Sequence, residues 1–136
     1  MVRVLIVDDH VFVRSALVSL LTAAEGIAVV GECADGAEVL EAVEETRPDV
    51  VLMDVEMPVV SGLDATRQLV TARSPARVLI QTGSAATVTA RQAEAAGAVG
   101  YLPKGGPPEG LVAAVRAVAL GQSSWPVGFT PQDGTS

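Results

Sequence analysis

The chain has 136 residues, of which 49% are hydrophobic, 18% are charged and only 3% are aromatic. This length fits one domain with a core of Val, Leu, Ile and Ala, and the composition excludes a disordered chain. The net charge of −7 disfavours direct binding to nucleic-acid phosphates, and the single cysteine, Cys33, excludes an intramolecular disulfide.

The first ten residues, MVRVLIVDDH, contain two aspartates and lack the long apolar region and cleavage site of a secretory signal. No uncharged run of about 18 apolar residues occurs, so no transmembrane helix is expected. We therefore expect a cytoplasmic protein without a membrane partner, which also suits the single cysteine.

Five short apolar runs alternate with five amphipathic segments along the chain. Apolar runs of this length, bounded by turn residues, predict strands buried on both faces, and in chain order they are Val2–Val7, Ala28–Glu32, Val50–Met53, Val78–Gln81 and Gly100–Leu102. The segments between them have helical patterns. The predicted helices are Phe12–Ala23, Gly36–Glu45, Leu63–Ala72, Ala86–Ala96 and Pro108–Ala119.

This alternation predicts an α/β fold with a parallel sheet between two layers of helices. Right-handed crossovers and five strands favour the flavodoxin-like (βα)5 three-layer sandwich, with strand order 2-1-3-4-5. We assign residues 1–120 to this domain. Residues 121–136 are rich in Gly, Ser, Pro and Thr, and we expect a linker or frayed tail there.

Polar residues follow four of the five predicted strands. In open parallel sheets, ligands bind outside the carboxyl ends of the strands, near the switch in strand order. We therefore expect one crevice to collect the groups that end strands 1, 3, 4 and 5, which are Asp8 and Asp9, Asp54, Thr82 and Gly83, and Lys104.

Three neighbouring carboxylates repel one another, and Lys104 cannot neutralise them alone. Mg²⁺ bound by oxygen ligands is the natural compensation. A metal, a lysine, a hydroxyl and a carboxylate together indicate phosphoryl transfer, in which a carboxylate can itself be the nucleophile. Asp54 is the candidate phospho-acceptor, Thr82 a hydrogen-bond donor to a phosphoryl oxygen, and Gly83 a point of close backbone approach to the phosphoryl group.

The segments VLIVDDH, VVLMDVEMPVVSGLD, VLIQTGS and GAVGYLPK resemble the receiver domain of two-component response regulators. The similarity runs from Arg3 to about Leu120, with the motifs in the expected order. The DDH start and the GYLPK ending are most similar to the NarL/FixJ (LuxR-type) subfamily of transcription regulators.

The resemblance implies that a sensor histidine kinase phosphorylates Asp54. It implies a Mg²⁺ site made of Asp8, Asp9, Asp54 and the backbone carbonyl of Glu56. Lys104 would then pair with the phosphate, and Thr82 and Tyr101 would move together as the switch. The expected role is a phospho-acceptor that catalyses only its own phosphorylation and slow dephosphorylation, and that is not otherwise an enzyme.

Members of this subfamily carry a C-terminal helix-turn-helix, which residues 121–136 do not contain. We therefore expect DNA binding only through such an effector domain in a longer protein. The alternative is a stand-alone receiver that acts through protein–protein contacts. A homodimer is plausible, through the fourth-helix face or the first- and fifth-helix face. The run Gly105-Gly106-Pro107-Pro108 departs from the family pattern, so the partner surface there is expected to differ.

Three other functions remain as alternatives. A flavin-binding electron carrier would need a phosphate cradle after strand 1, where Asp8 and Asp9 stand instead. A phosphohydrolase would need a general base for fast turnover, and none is evident. A degenerate receiver that acts only as a constitutive interaction module is disfavoured by the complete set of acids, hydroxyl and lysine.

Four further residues have simpler interpretations. We expect His10 to help start the first helix or to lie at the rim of the crevice, rather than to be an acid, base or ligand. Cys33 is expected to be a small buried hydrophobe, and Gly62 to serve backbone conformation. Trp125, in the tail, is expected to pack back onto the domain without a chemical role.

Overall fold

The computed structural model describes residues 1–83 and 88–132, in which strands and α-helices alternate along the chain. The strands are β1 (Val2–Val7), β2 (Ile27–Cys33), β3 (Val50–Asp54), β4 (Arg77–Thr82) and β5 (Gly100–Pro103). The α-helices are α1 (Val11–Ala23), α2 (Val39–Thr46), α3 (Gly62–Thr71), α4 (Ala90–Ala96) and α5 (Pro108–Ala119). A 3₁₀ turn, Gly36–Glu38, precedes α2.

The strands form one parallel sheet in the order β2-β1-β3-β4-β5. Val7 pairs with Met53, and Asp54 pairs with Gln81, so the carboxyl ends of β1, β3 and β4 meet at one edge. This confirms the predicted flavodoxin-like order. It also brings together the residues that follow these strands.

Alternate side chains of each strand enter two different apolar cores. Val4 and Ile6 of β1 belong to a core that includes residues of α1 and α5, whereas Leu5 and Val7 belong to a core that includes residues of α2, α3 and α4. Both faces of the sheet are therefore covered, which explains why the strands are continuous apolar runs rather than alternating ones. Cys33 lies in the second core and is buried, as expected.

Two predicted helices begin later than the sequence pattern indicated. The structure has α4 beginning at Ala90, because the side chain of Thr89 accepts a bond from the Gln92 backbone N–H and the side chain of Gln92 accepts one from the Thr89 backbone N–H. This reciprocal capping box fixes the helix start, and the predicted start at Ala86 lies outside the described residues. The predicted helix Gly36–Glu45 opens instead with the 3₁₀ turn, which the side chain of Asp35 caps.

The tail is not a free linker over the part that the structure describes. Ser124 forms a parallel bridge with Gly100, and Trp125 packs against the core on the α2–α4 side of the sheet. Residues 123–132 are therefore not frayed, since they lie along β5 and α4. The alternative, that residues 121–136 are a linker, stays a prediction. The packing of Trp125 onto the domain is confirmed. In residues 1–83 and 88–132, no helix is long and apolar enough to cross a bilayer.

Candidate functional site

Three carboxylates converge at the carboxyl edge of the sheet. Asp8 and Asp9 follow β1, and Asp54 is the last residue of β3. One oxygen of each, together with a ring nitrogen of His10, lies within 4.8 Å of the others. Asp8 and Asp54 are almost fully buried, with 1% and 6% of their surfaces exposed. The predicted convergence of the acids is therefore present in the structure.

Lys104 stands between two of these acids. Its Nζ lies 2.8 Å from Oδ2 of Asp8 and 3.1 Å from Oδ1 of Asp54. Burial acts to lower the pKa of Lys104, but hydrogen bonds to Asp8 and Asp54 and their negative charges outweigh it and raise the pKa. The lysine therefore stays protonated. Its backbone N–H also donates to the Thr82 carbonyl at 2.6 Å, which ties β5 to the end of β4.

The carboxyl group of Asp54 is held at one oxygen. The backbone N–H of Val55 donates to Oδ1 at 2.9 Å, and Lys104 approaches the same atom. Burial raises the pKa of Asp54, and the charge of Asp8 adds to the rise, while Lys104 and the Val55 N–H oppose it; the net shift is upward. The negative form of Asp54 is thus short of compensating positive charge.

The donor set fits a hard divalent cation. Three aspartates contribute three negative charges, and Lys104 returns one positive charge within direct reach of two of them. Buried carboxylates with this imbalance can hold a metal ion through their oxygens, and oxygen ligands suit Mg²⁺ best. The acidic cluster could therefore hold such an ion beside Asp54.

His10 lies at the rim and starts α1. It is the N-cap residue of that helix and its side chain is 66% exposed. Its backbone N–H donates to Oδ1 of Asp8 at 2.8 Å, and its Nδ1 lies 3.1 Å from Oδ1 of Asp9. The expected position of His10 is confirmed, and its backbone helps to orient the carboxyl group of Asp8.

The remaining predicted residues occupy the same edge or the strand beside it. Thr82 ends β4 and is buried, and a Cβ built on Gly83 would meet no described atom within 4 Å. Glu56 is exposed in the loop after β3. Tyr101 lies on β5, and its hydroxyl donates to the Val88 carbonyl at 2.7 Å, just before α4.

Comparison with known proteins decides the family of this chain. Residues 4–116 match the family model for the response regulator receiver domain. The chain belongs to the response regulator receiver family. This receiver is 41% identical over 122 residues to the response regulator GacA of Pseudomonas aeruginosa, and 38% identical to UvrY of Escherichia coli. The alignment covers 90% of the receiver but 57% and 56% of those proteins, so the chain spans just over half their length.

Solved structures with the same fold include other response regulators and their receiver domains. The receiver is 36% identical to a LuxR-family two-component response regulator from Aurantimonas sp. SI85-9A1, with a TM-score of 0.83 over 97% of this chain and 91% of that one. It is also 36% identical to the signal receiver domain of the response regulator NarL from Mycobacterium tuberculosis, with a TM-score of 0.83 over 89% and 98%. The resemblance in the strand-end motifs is thereby confirmed.

Gly62 supports the receiver site in a way that the sequence did not indicate. Its φ is not positive, so it is not required for an unusual backbone conformation. A Cβ at this position would instead overlap the carbonyl oxygen of Asp54 and lie 2.9 Å from its carbonyl carbon. The expectation that Gly62 serves backbone conformation is therefore corrected: Gly62 allows the close approach of α3 to the backbone of Asp54.

Asp35 and Arg14 position the site from outside the crevice. The carboxylate of Asp35 accepts bonds from the backbone N–H groups of Val59 and Val60, both at 3.0 Å, and so anchors the loop after β3. Arg14 donates to the Asp8 carbonyl at 2.6 Å and pairs with Glu32. Asp35 could have been predicted from the sequence, because an aspartate just before a helical segment is a typical capping residue. Nothing in the sequence pattern marks Arg14.

Proposed function

We propose that this receiver is a phosphorylation switch in which Asp54 accepts a phosphoryl group from a sensor histidine kinase in a Mg²⁺-dependent reaction. The observation that carries the proposal is a buried acceptor carboxylate that has a lysine 3.1 Å away and two further acids beside it. Asp8, Asp9, Asp54 and the backbone carbonyl of Glu56 are the proposed ligands of Mg²⁺. The bound ion would supply the positive charge that the three carboxylates lack.

The chain's own contacts suit Asp54 to nucleophilic attack. Oδ1 is fixed by the Val55 N–H and by Lys104, and the described residues donate no hydrogen bond to Oδ2. In the proposed step Oδ2 attacks phosphorus, the P–N bond of the donor phosphohistidine breaks, and that electron pair stays on the imidazole nitrogen. Holding the carboxylate in one orientation lowers the entropic part of the barrier.

Four other residues would act after transfer. Lys104 would leave a carboxylate partner and form an ion pair with a phosphoryl oxygen instead. Its raised pKa keeps it cationic for that contact. The hydroxyl of Thr82 and the backbone of Gly83 would contact the same group. Tyr101, on the neighbouring strand, would follow the movement of Thr82, so that a local change of charge alters the surface at β5 and α4.

The expected output is control of transcription when this receiver is joined to a DNA-binding effector domain. Its support is the similarity to GacA and UvrY, both longer than this chain, and to LuxR-family structures. Action through protein–protein contacts alone, including a homodimer, is the alternative. We propose a cytoplasmic location and no enzymatic role beyond self-phosphorylation and slow hydrolysis of the acyl phosphate.

A phosphodonor experiment tests the proposal directly. The protein is incubated with acetyl phosphate and Mg²⁺, and intact mass is recorded; we expect the mass of one phosphoryl group to be added. Asp54→Asn and an excess of EDTA should each abolish the addition. Asp64→Asn, which changes an exposed aspartate on α3, should leave it unchanged. Addition to Asp54→Asn at the native level would place the acceptor elsewhere.

A phosphatase assay separates the switch from the phosphohydrolase alternative. The switch predicts at most slow release of phosphate from the acyl phosphate, because no general base for fast hydrolysis is evident. Rapid, repeated turnover of a simple phosphate ester, lost in Asp54→Asn, would favour the phosphohydrolase.

A further inference from the structure

Residues 123–132, here called the strap, are bound along the open edge of β5. The backbone N–H of Ser124 donates to the Val99 carbonyl at 3.0 Å, and the Ser124 carbonyl accepts from the Tyr101 N–H at 2.9 Å. These two bonds satisfy groups on an edge strand that would otherwise face solvent. The strap thus begins as a short additional strand.

The second half of the strap is bound by α4. The Arg91 guanidinium lies 4.6 Å from the centre of the Phe129 ring, and it donates to the Thr130 carbonyl at 3.0 Å. Glu94 pairs with Arg91 at 2.7 Å and accepts from the Gln132 backbone at 2.7 Å. An arginine, its partner acid and an aromatic ring therefore form one connected cluster on the outer face of α4.

Trp125 joins the two halves. Its ring centre lies 4.9 Å from that of Phe129, at an angle of 39° between the planes, and it packs against the core on the α2–α4 side. Such aromatic pairs stabilise a contact beyond the apolar area that they bury. The strap therefore has specific anchors on both β5 and α4, as a bound segment does, rather than only incidental contacts.

We propose that the surface formed by β5 and α4 is a binding site for the strap and that phosphorylation of Asp54 releases it. The release, but not the binding site, rests on the function proposed above. The family model for the receiver domain ends at residue 116, so it assigns no role to residues 123–132.

Tyr101 is the residue through which the two sites would communicate. Its backbone N–H binds the strap, and its hydroxyl binds the Val88 carbonyl next to the start of α4. One strand away, Thr82 ends β4 and accepts from the backbone of Lys104, the lysine that contacts Asp54. A short chain of contacts thus runs from Asp54 through the ends of β4 and β5 to the strap.

The direction of the effect follows from how the strap is attached. One end is held by β5 and the other by α4, so the contacts require the relative position of these elements seen here. A shift of Tyr101 and of the segment before α4 on phosphorylation would break that match and weaken binding of the strap. By reciprocity, weakening the strap must favour the phosphorylated state by the same factor.

The experiment uses the fluorescence of Trp125, the one tryptophan in the chain. The whole protein is titrated with beryllofluoride in Mg²⁺, while fluorine NMR reports occupancy of Asp54. We expect the tryptophan emission to move to longer wavelength and acrylamide quenching to increase as Asp54 fills. Asp54→Asn should show neither change.

The possible failures are distinguishable. If beryllofluoride binds at Asp54 while emission and quenching stay constant, phosphorylation does not release the strap, and the function proposed for Asp54 stands. If no beryllofluoride binds, the acceptor role of Asp54 fails, and the release fails with it.

Two strap variants test the binding site without any phosphoryl analogue. Phe129→Ala removes the ring that contacts Arg91 and Trp125, whereas Val127→Ala changes a side chain that is fully exposed. We expect Phe129→Ala alone to increase quenching of Trp125 in the unmodified protein and to tighten beryllofluoride binding about 5-fold or more, the lower range of allosteric coupling. Equal behaviour of the two variants would overturn the proposed strap site.

Discussion

The crevice at Asp54 and the strap on β5 and α4 are both assembled from distant parts of the chain, yet they are held in opposite ways. In the crevice, Asp8 and Asp54 are buried, and Lys104 is shared between them. At the strap, Arg91 and Glu94 of α4 form an ion pair with each other, and both bind backbone groups of the strap. The crevice has more negative than positive charge, whereas the strap is held by a few hydrogen bonds and the contact between Arg91 and Phe129.

The difference in charge and in number of contacts suggests how the proposed coupling between the crevice and the strap would work. A site that lacks positive charge responds strongly to a cation and a phosphoryl group, because each changes the balance in a buried environment. A segment held by a few partly exposed contacts can be detached at a cost of a few kcal/mol. Four variants test this contrast, from the largest expected effect to the smallest.

Gly62→Ala should have the largest effect, because its new Cβ would collide with the backbone of Asp54 and could not rotate away. We expect the free energy of unfolding, measured in urea, to fall by about 3 kcal/mol, as for strong overpacking. Gly110→Ala is the matched control on α5, where a Cβ meets nothing within 4 Å. The free energy of unfolding of Gly110→Ala should rise by about 0.5–1 kcal/mol. A loss of the same size in both would mean that close approach at Gly62 is unimportant.

Asp35→Ala should lower the free energy of unfolding by about 1–2 kcal/mol at neutral pH, since it removes a cap and two loop anchors. Slight desolvation acts to raise the pKa of Asp35, but bonds from Val59, Ala37 and Val60 together lower it. A lowered folded pKa gives stability that is present above the unfolded pKa and is lost as pH falls through the folded value.

The stability that Asp35 contributes should therefore decrease as the pH falls. The difference between native protein and Asp35→Ala, followed by urea unfolding, should shrink as pH falls from neutral into the acid range below the ordinary aspartate pKa. Asp35→Asn, which keeps one acceptor oxygen, should lose less than Asp35→Ala at neutral pH. A difference that grows toward acid would contradict the anchoring role.

Asp54→Asn should make the protein more stable when no divalent cation is present. Removing one of three close charges relieves repulsion on the order of 1 kcal/mol, consistent with the raised pKa of Asp54. Mg²⁺ should then stabilise the native chain more than the variant, as measured by thermal unfolding with and without the ion. Asp64→Asn, which alters an exposed pair with Arg67, should change stability by less than about 0.5 kcal/mol in both conditions.

Arg91→Ala should have the smallest effect on global stability, less than about 1 kcal/mol, because an exposed cation–π contact is weak. It should nevertheless increase acrylamide quenching of Trp125, which reports only on the strap. Arg67→Ala removes the corresponding ion pair on α3 and should leave Trp125 unchanged. If Arg91→Ala leaves quenching at the native value, Arg91 does not anchor the strap.

Much of the fold was predictable, because each strand and helix has its own periodicity. The pattern placed β1 and α5 at their observed bounds and the other strands within one residue. It misplaced the start of α4 because the capping pair Thr89 and Gln92 outweighed the apolar pattern before it. It described residues 121–136 by composition, which cannot show that Ser124 pairs with Gly100 at the edge of the sheet.

The sequence by itself determined the alternation of strands and helices, and hence the edge of the sheet at which Asp8, Asp9, Asp54, Thr82 and Lys104 meet. These are consequences of local spacing and of the rules for parallel sheets. Only the tertiary structure decided that Gly62 must lack a side chain, that Asp35 anchors the loop after β3, and that residues 123–132 lie along β5 and α4. Each of these depends on distances between residues far apart in the chain, and no local pattern encodes such distances.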